Sequence, residues 1–193
     1  MTRSARGREV VAAGRRLLEE EGPAALTMRR LAERVGIRAP SLYKHLPDKA
    51  ALEAAIIATG FEEAAAAFEA AVEHAGGALP ALAAAYRRFA LAHPHLYRLM
   101  NNGPLPREQL PPGLEDRTAA PLLRAAGSQA RARAVWAFAH GMVMLELDHR
   151  FPADADLDAA WEAGIAAFQP ADRGHARVGG APGVGAWYGR AVR

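Results

Sequence analysis

The chain contains no cysteine. Disulfide cross-links, thiolate zinc sites and cysteine nucleophiles are therefore excluded together. Strand character is nearly as scarce, because Val, Ile, Tyr and Thr never gather into alternating runs. No uncharged apolar stretch approaches the roughly 18 residues that a membrane span needs, and no apolar signal segment opens the chain. No GxSxG, Walker or GxGxxG string occurs, the carboxylates are scattered, and no nucleophile stands beside a credible base. The seven histidines lack metal-ligand spacing: His93 and His95 flank a proline, and His140 and His149 lie nine residues apart. These absences point away from an enzyme, a metalloprotein, a cofactor carrier and a membrane protein. The expectation is a cytoplasmic protein with no catalytic, cofactor or metal residues.

What the 193 residues do contain favours helix. Apolar residues make up 51% and charged residues 23%, the balance of a globular chain. Alanine supplies much of the apolar share, and runs such as Ala64–Ala67 favour helix while adding little core volume. The fold class read from this pattern is all-α. The net charge of +3 is unevenly spread. Residues 1–50 hold nine Arg and two Lys against five Glu and one Asp, so the remainder is faintly acidic. A basic head on such a body suggests that the head meets a polyanion, unless its charge is only a solvated face.

Residues 2–8 form a polar arm with three arginines, and a first helix is expected from about Arg8 to Glu21, stopped by Gly22-Pro23. Thr27 is suited to cap a second helix, whose Leu31 and Val35 face inward one turn apart. Gly36 fits the positive φ of a helix end, with Ile37 as the apolar plug after it. Pro40 fits the first position of a third helix, PSLYKHL. Leu42 and Leu46 are its buried side, which turns Ser41, Lys44 and His45 outward and leaves Tyr43 on the flank. Asp48 then caps a long fourth helix, to about Glu73. Two short helices joined by a glycine turn make a helix-turn-helix, an element that presents its second helix to a DNA groove.

Beyond Gly76-Gly77, helices are expected at about 79–92, 95–100 and 114–126, with a proline-rich loop over 101–113. The segment Ser128–Arg150 is apolar nearly all round, so it is buried on more than one side. A last helix, about 155–168, carries the stripe Leu157, Trp161, Ile165 and Phe168. From Pro170 the sequence turns rich in Gly, Ala and Arg, as in a flexible tail. Trp187 and Tyr188 within it have no periodic context.

The run LTMRRLAERVGIRAPSLYKHLPDKAALEAAI resembles the DNA-binding head of the TetR/AcrR family of bacterial transcriptional regulators, with LYKHLPDK its most specific part. The later AHPHLYRLM and WAFAHGMVMLE resemble a TetR-type C-terminal domain named for its Trp-His-Gly residues. Here Trp136 is separated from His140-Gly141 by three residues. The resemblance implies a three-helix DNA-binding head over 1–50, with a linking helix to about 75. A larger helical ligand-binding and dimerisation domain follows over 51–169, then the tail over 170–193.

By the same resemblance, Thr27 and Arg29 approach the DNA backbone. Arg38, Ala39, Pro40, Ser41 and Lys44 face the major groove, and Tyr43, His45 and Lys49 grip phosphates. The chemistry fits: Lys and Tyr donate readily to phosphate oxygens, while Arg38, Lys44 and Ser41 can hydrogen-bond base edges. The implied function is a ligand-responsive repressor that holds a palindromic duplex operator as a homodimer and is released by a small apolar effector. Tyr86, Phe89, Leu96, Met100, Trp136, His140 and Met144 are the candidate pocket lining. Val135, Val143, Leu147, Trp161 and Ile165 are the candidate dimer interface, unless they pack inside one subunit. The alternative is an all-helical interaction protein whose head keeps the fold but binds no operator.

Overall fold

Helix starts in this chain are set by short polar side chains. The computed structural model describes residues 4–75 and 78–169, with Ala39 described by its backbone alone. Among them are nine α-helices and no strand: α1 Ala5–Glu21, α2 Met28–Arg34, α3 Ala39–Leu42, α4 Lys49–His74, α5 Leu79–Ala92, α6 Pro94–Asn101, α7 Leu114–Ala126, α8 Gln129–Leu147 and α9 Leu157–Ala167. The Thr27 hydroxyl accepts the Arg30 N–H at 3.2 Å, and Asp48 accepts that of Ala51 at 2.8 Å. Ser4, Ser128 and Asp156 do the same for α1, α8 and α9. Each such cap is worth about 1 kcal/mol. The Ser4 cap draws α1 back to Ala5, so the expected arginine arm is helical from there. Met1, Thr2 and Arg3 lie outside the described residues, as do Gly76-Gly77 and the tail from Pro170 with Trp187 and Tyr188.

The end of α2 follows the sequence expectation, while those of α8 and α3 differ from it for identifiable reasons. At α2, Gly36 sits at φ 67°, its N–H bonds the Glu33 carbonyl, and Ile37 N–H bonds that of Ala32. This is the Schellman closure that glycine favours, and it was foreseen. At α8 the same closure forms on His149, at φ 50°, with Arg150 N–H on the Leu145 carbonyl and His149 N–H on that of Glu146. No glycine marks it, and the helix ends at Leu147 rather than Arg150. The third helix is shorter still, one turn over Ala39–Leu42 followed by turns. Leu46 precedes Pro47, which disfavours helical backbone at Leu46 and tightens the last turn.

The helices fall into two compact units, and these do not follow the linear division at about residue 50. The first gathers the chain up to Glu63 with Ala92–Leu114; the second gathers Ala64–Leu91 with the chain from Glu115. In the first, Leu17 and Leu18 of α1, Leu31 of α2, Leu42 of α3, Leu46, and Leu52 and Ile56 of α4 are at most 2% exposed. Each such side chain contributes on the order of 2 kcal/mol through burial. Gly14 lets α1 approach α4 closely, since a Cβ there would stand 2.9 Å from Leu52 Cδ1. Gly60 does the same under Leu96 and Met100 of α6, which is why α6 belongs to this unit. A satellite cluster of Ile57, Ala58, Phe61, Leu110 and Leu114 extends the core.

In the second unit Phe68 stacks on Tyr86 at 5.8 Å and meets Phe89 edge-on at 6.3 Å. Phe138 of α8 lies between Trp161 and Phe168, at 5.7 and 5.8 Å. Arg87 of α5 ties three helices together: it donates to Glu146 of α8 at 3.0 Å and to Asp158 of α9 at 2.5 Å, and its guanidinium lies 5.7 Å from the Trp161 ring centre. Trp161 Nε1–H donates to the other Glu146 oxygen at 2.5 Å. Burial acts to lower the Arg87 pKa, but the bonds to Asp158 and Glu146 outweigh it and hold the group above its usual value.

Gly164 of α9 supplies the space for this aromatic contact, because a Cβ there would lie 2.0 Å from Phe138 Cζ. Overpacking of this kind costs about 1–3 kcal/mol, against roughly 1 kcal/mol gained in helix propensity. Gly164→Ala should therefore lower the urea midpoint, by up to about 2 kcal/mol of stability. A raised midpoint would show that the ring moves aside freely.

Candidate nucleic-acid interface

The outward side of the helix-turn-helix is made by what its inward side buries. Leu42 and Leu46 are 0% and 2% exposed, and their burial fixes the rotation of the α3 segment. Arg38, Pro40, Ser41 and Lys44 are then exposed, and His45 is half-buried. Tyr43 is 51% exposed, so it is not a core aromatic. Thr27, Arg29 and Lys49 are exposed at the flanks, Thr27 with its hydroxyl engaged as the α2 cap. The Ala39 side chain lies outside what the structure describes.

Charge pairing separates the cations of this stretch. Arg29 pairs with Glu33 at 3.1 Å, and Lys49 with Glu53 at 3.4 Å. Arg30 and Arg34 pair with Glu20 and Glu21 at the end of α1. Among the described residues, only Arg38 and Lys44 of the cations from Thr27 to Lys49 have no carboxylate partner. Both flank α3. Exposed helix pairs such as Arg29–Glu33 are worth only about 0.3–0.5 kcal/mol, so a phosphate can compete for those cations as well. Sequence reasoning missed that pairing, and not position alone, sorts Arg38 and Lys44 from the rest.

The residues expected to line one pocket are not gathered in one unit. Leu96 and Met100 belong to the core of the first unit, while Tyr86, Phe89, Trp136, His140 and Met144 belong to the second. Trp136 and His140 face each other with ring centres 6.2 Å apart. The second unit also carries an open groove of about 380 Å³ between α5 and α9, lined by Pro80, Ala83, Arg87, Trp161 and Ile165 among others, and by none of the seven.

The residues expected at a subunit interface are also placed differently. Val135, Val143, Trp161 and Ile165 are 0–6% exposed within the single chain, because they form the inward stripes of α8 and α9. Leu147 is half-buried. Their burial is accounted for inside one subunit. α8 and α9 leave outward an uncharged stripe of Ala137, Leu145 at 42% exposure, Ala159, Ala163 and Ala167, beside the exposed charges of Arg133, Asp158 and Glu162.

Residues 10–56 match the model of bacterial regulatory proteins of the tetR family, and residues 79–168 match the tetracyclin repressor-like C-terminal domain. No curated protein matches the chain significantly. Among solved structures the chain is similar to a protein of unknown function from Rhodococcus sp. RHA1, at 28% identity and TM-score 0.68 over 86% of this chain and 94% of that one. It is similar to a variant TetR from Acinetobacter baumannii AYE in complex with minocycline, at 25% identity and TM-score 0.58, over 82% and 91%. BioQ with its double-stranded DNA operator shares the fold at 22% identity and TM-score 0.60, over 84% and 96%.

His140 gives a pH test of the second unit. Half-burial disfavours its charged form and lowers its pKa below the ordinary 6.5. The unfolded chain then binds this proton more readily than the folded one, so stability falls as pH drops through 6.5 and below. A His140→Gln variant should show a shallower loss of melting temperature between about pH 7 and pH 5. Parallel profiles would remove His140 from the acid response.

Proposed function

Because this chain belongs to the TetR family and is a DNA-binding transcriptional regulator, we propose that it is a repressor that grips a palindromic operator as a homodimer and is released by a small apolar effector. The observation that carries the DNA-binding surface is the pair Arg38 and Lys44, exposed on either side of α3 without carboxylate partners among the described residues. Lys44 and Arg38, with Ser41, read base edges in the major groove, and Ala39 and Pro40 offer contact to a thymine methyl. Tyr43, His45, Lys49, Thr27 and Arg29 hold the backbone on both sides. BioQ, seen with its duplex operator, has the same fold and supports this reading.

One head buries little surface, and two heads one helical turn apart, about 34 Å, demand a two-fold operator. The stripe of exposed alanines on α8 and α9 suits a helix-on-helix dimer, because small side chains allow close approach. The effector would lie in the second unit near Tyr86, Phe89, Trp136, His140 and Met144, where aromatic walls favour an apolar molecule. The minocycline bound by the TetR variant supports a small-molecule ligand in this family. Ligand and DNA then favour different conformers, which is the physical content of release. Contact with chromosomal DNA places the protein in the cytoplasm.

Two measurements test this. Selection from random duplexes should yield a palindrome whose binding weakens steeply with salt, and Lys44→Ala should relax the base preference at one position of each half-site. A protein with no preference for any duplex over random competitor contradicts the proposal. For the dimer, Ala137→Glu with Ala163→Glu should sediment as a folded monomer; an unchanged dimer moves the interface elsewhere.

A further inference from the structure

The open groove between α5 and α9 has the chemistry to receive an aromatic side chain. Ala84 on α5 and Ala166 on α9 line it and are exposed, so small side chains border the opening there. Trp161 and Ile165 give it an apolar wall. Arg87 also lines it, with its guanidinium 5.7 Å from the Trp161 ring centre. A guanidinium is planar and stacks on aromatic faces, so Arg87 offers its other face to a second ring. The charged side chains of the groove are Arg87, Asp158 and Glu162, a net negative set.

Gln169, the last described residue, lines the same groove, so the sequence over 170–193 sets out from the groove itself. That sequence carries Arg173, Arg177, Arg190 and Arg193 against one carboxylate, Asp172. Residues 51–169 hold nine arginines against fourteen carboxylates. Opposite charge draws the two together. Beyond Gln169, Phe, Trp or Tyr occurs only at Trp187 and Tyr188, set among Gly185, Ala186 and Gly189. A glycine-rich chain of eighteen residues, the separation of Gln169 from Trp187, spans about 23 Å on average. The eleven residues of α9 are only about 16 Å long, so reach is no obstacle. A tether of this length holds its end near the groove at an effective concentration on the order of millimolar.

We propose that the α5–α9 groove is the docking site of the chain's own segment around Trp187-Tyr188, with the aromatic pair against Arg87 and Trp161 and the tail arginines near Asp158 and Glu162. Trp and Tyr supply large contact area at low entropic cost, and the alanine border lets them reach the guanidinium. Docking holds α5 against α9 from outside, over the ties that Arg87 makes to Glu146 and Asp158. The inference stands independently of the DNA-binding reading.

The test is photo-crosslinking in the full-length protein, with p-benzoylphenylalanine in place of Tyr188 and Trp187 left intact. Irradiation should give a product with the mass of one chain, linked within residues 80–87 or 161–169. Ala84→Arg, which fills the groove and repels the tail arginines, should abolish those links. Glu162→Arg changes only an exposed charge; it should also weaken them and covers the case in which Ala84→Arg fails to fold. Links that fall elsewhere in the chain, or that survive both variants unchanged, would overturn the proposal. So would a product with the mass of two chains, which seats the tail on a second copy, and so would the absence of any link.

Discussion

A helix of four residues cannot hold its own shape, since a single turn leaves nucleation unrecovered. The α3 segment is such a helix, and it presents the exposed residues of the head. Its geometry is borrowed from its neighbours. Leu42 and Leu46 sink into a core built by α1, α2 and α4, the Gly36 closure fixes how the chain enters, and the Asp48 cap fixes how it leaves. With both sides and both ends held, Arg38, Ser41, Tyr43 and Lys44 have one direction left, and it is outward. Rigid support beneath a short exposed element keeps side chains positioned for base edges.

The second unit solves a different problem with the same helices. Its α8 and α9 each carry a stripe buried within the chain and an exposed stripe of alanine, joined on α8 by Leu145. The buried stripes are cross-tied by Arg87, Glu146 and Trp161, a polar knot that holds α5, α8 and α9 in one arrangement. Arg87 keeps its charge while partly buried because two carboxylates and an indole face surround it. The exposed alanines and Leu145 are the surface proposed to meet a second copy.

Much of this was legible in the sequence because local signals carry it. Thr27 and Asp48 announce helix starts by chemistry that acts within three residues, and Gly36 announces a turn by its backbone freedom. Leu42 and Leu46 announce a buried side by spacing alone. What escaped was of two kinds. His149 closes α8 in a left-handed conformation without the glycine that usually signals it. The other misses were contacts between residues distant in sequence. Nothing near Glu19 says that its carboxylate accepts the amide of Leu96, nothing near Gly60 says that α6 rests on it, and the grouping of 92–114 with the head follows from those contacts. The burial of the expected interface residues was illegible for a related reason. Val135, Val143, Trp161 and Ile165 are the conspicuous apolar residues of α8 and α9, and the core of one chain uses them. The faces left over are mostly alanine, which carries no periodic signal.

The central claim is that two heads, each with α3 in a major groove, read a two-fold site from one face of the duplex. Chemical protection of guanine N7 on a selected duplex tests it most directly, because N7 lies in the major groove. The account predicts two protected patches, symmetric about the centre and one helical turn apart, about 10 base pairs. A single patch, or no protected N7 on a duplex that is bound, would contradict it.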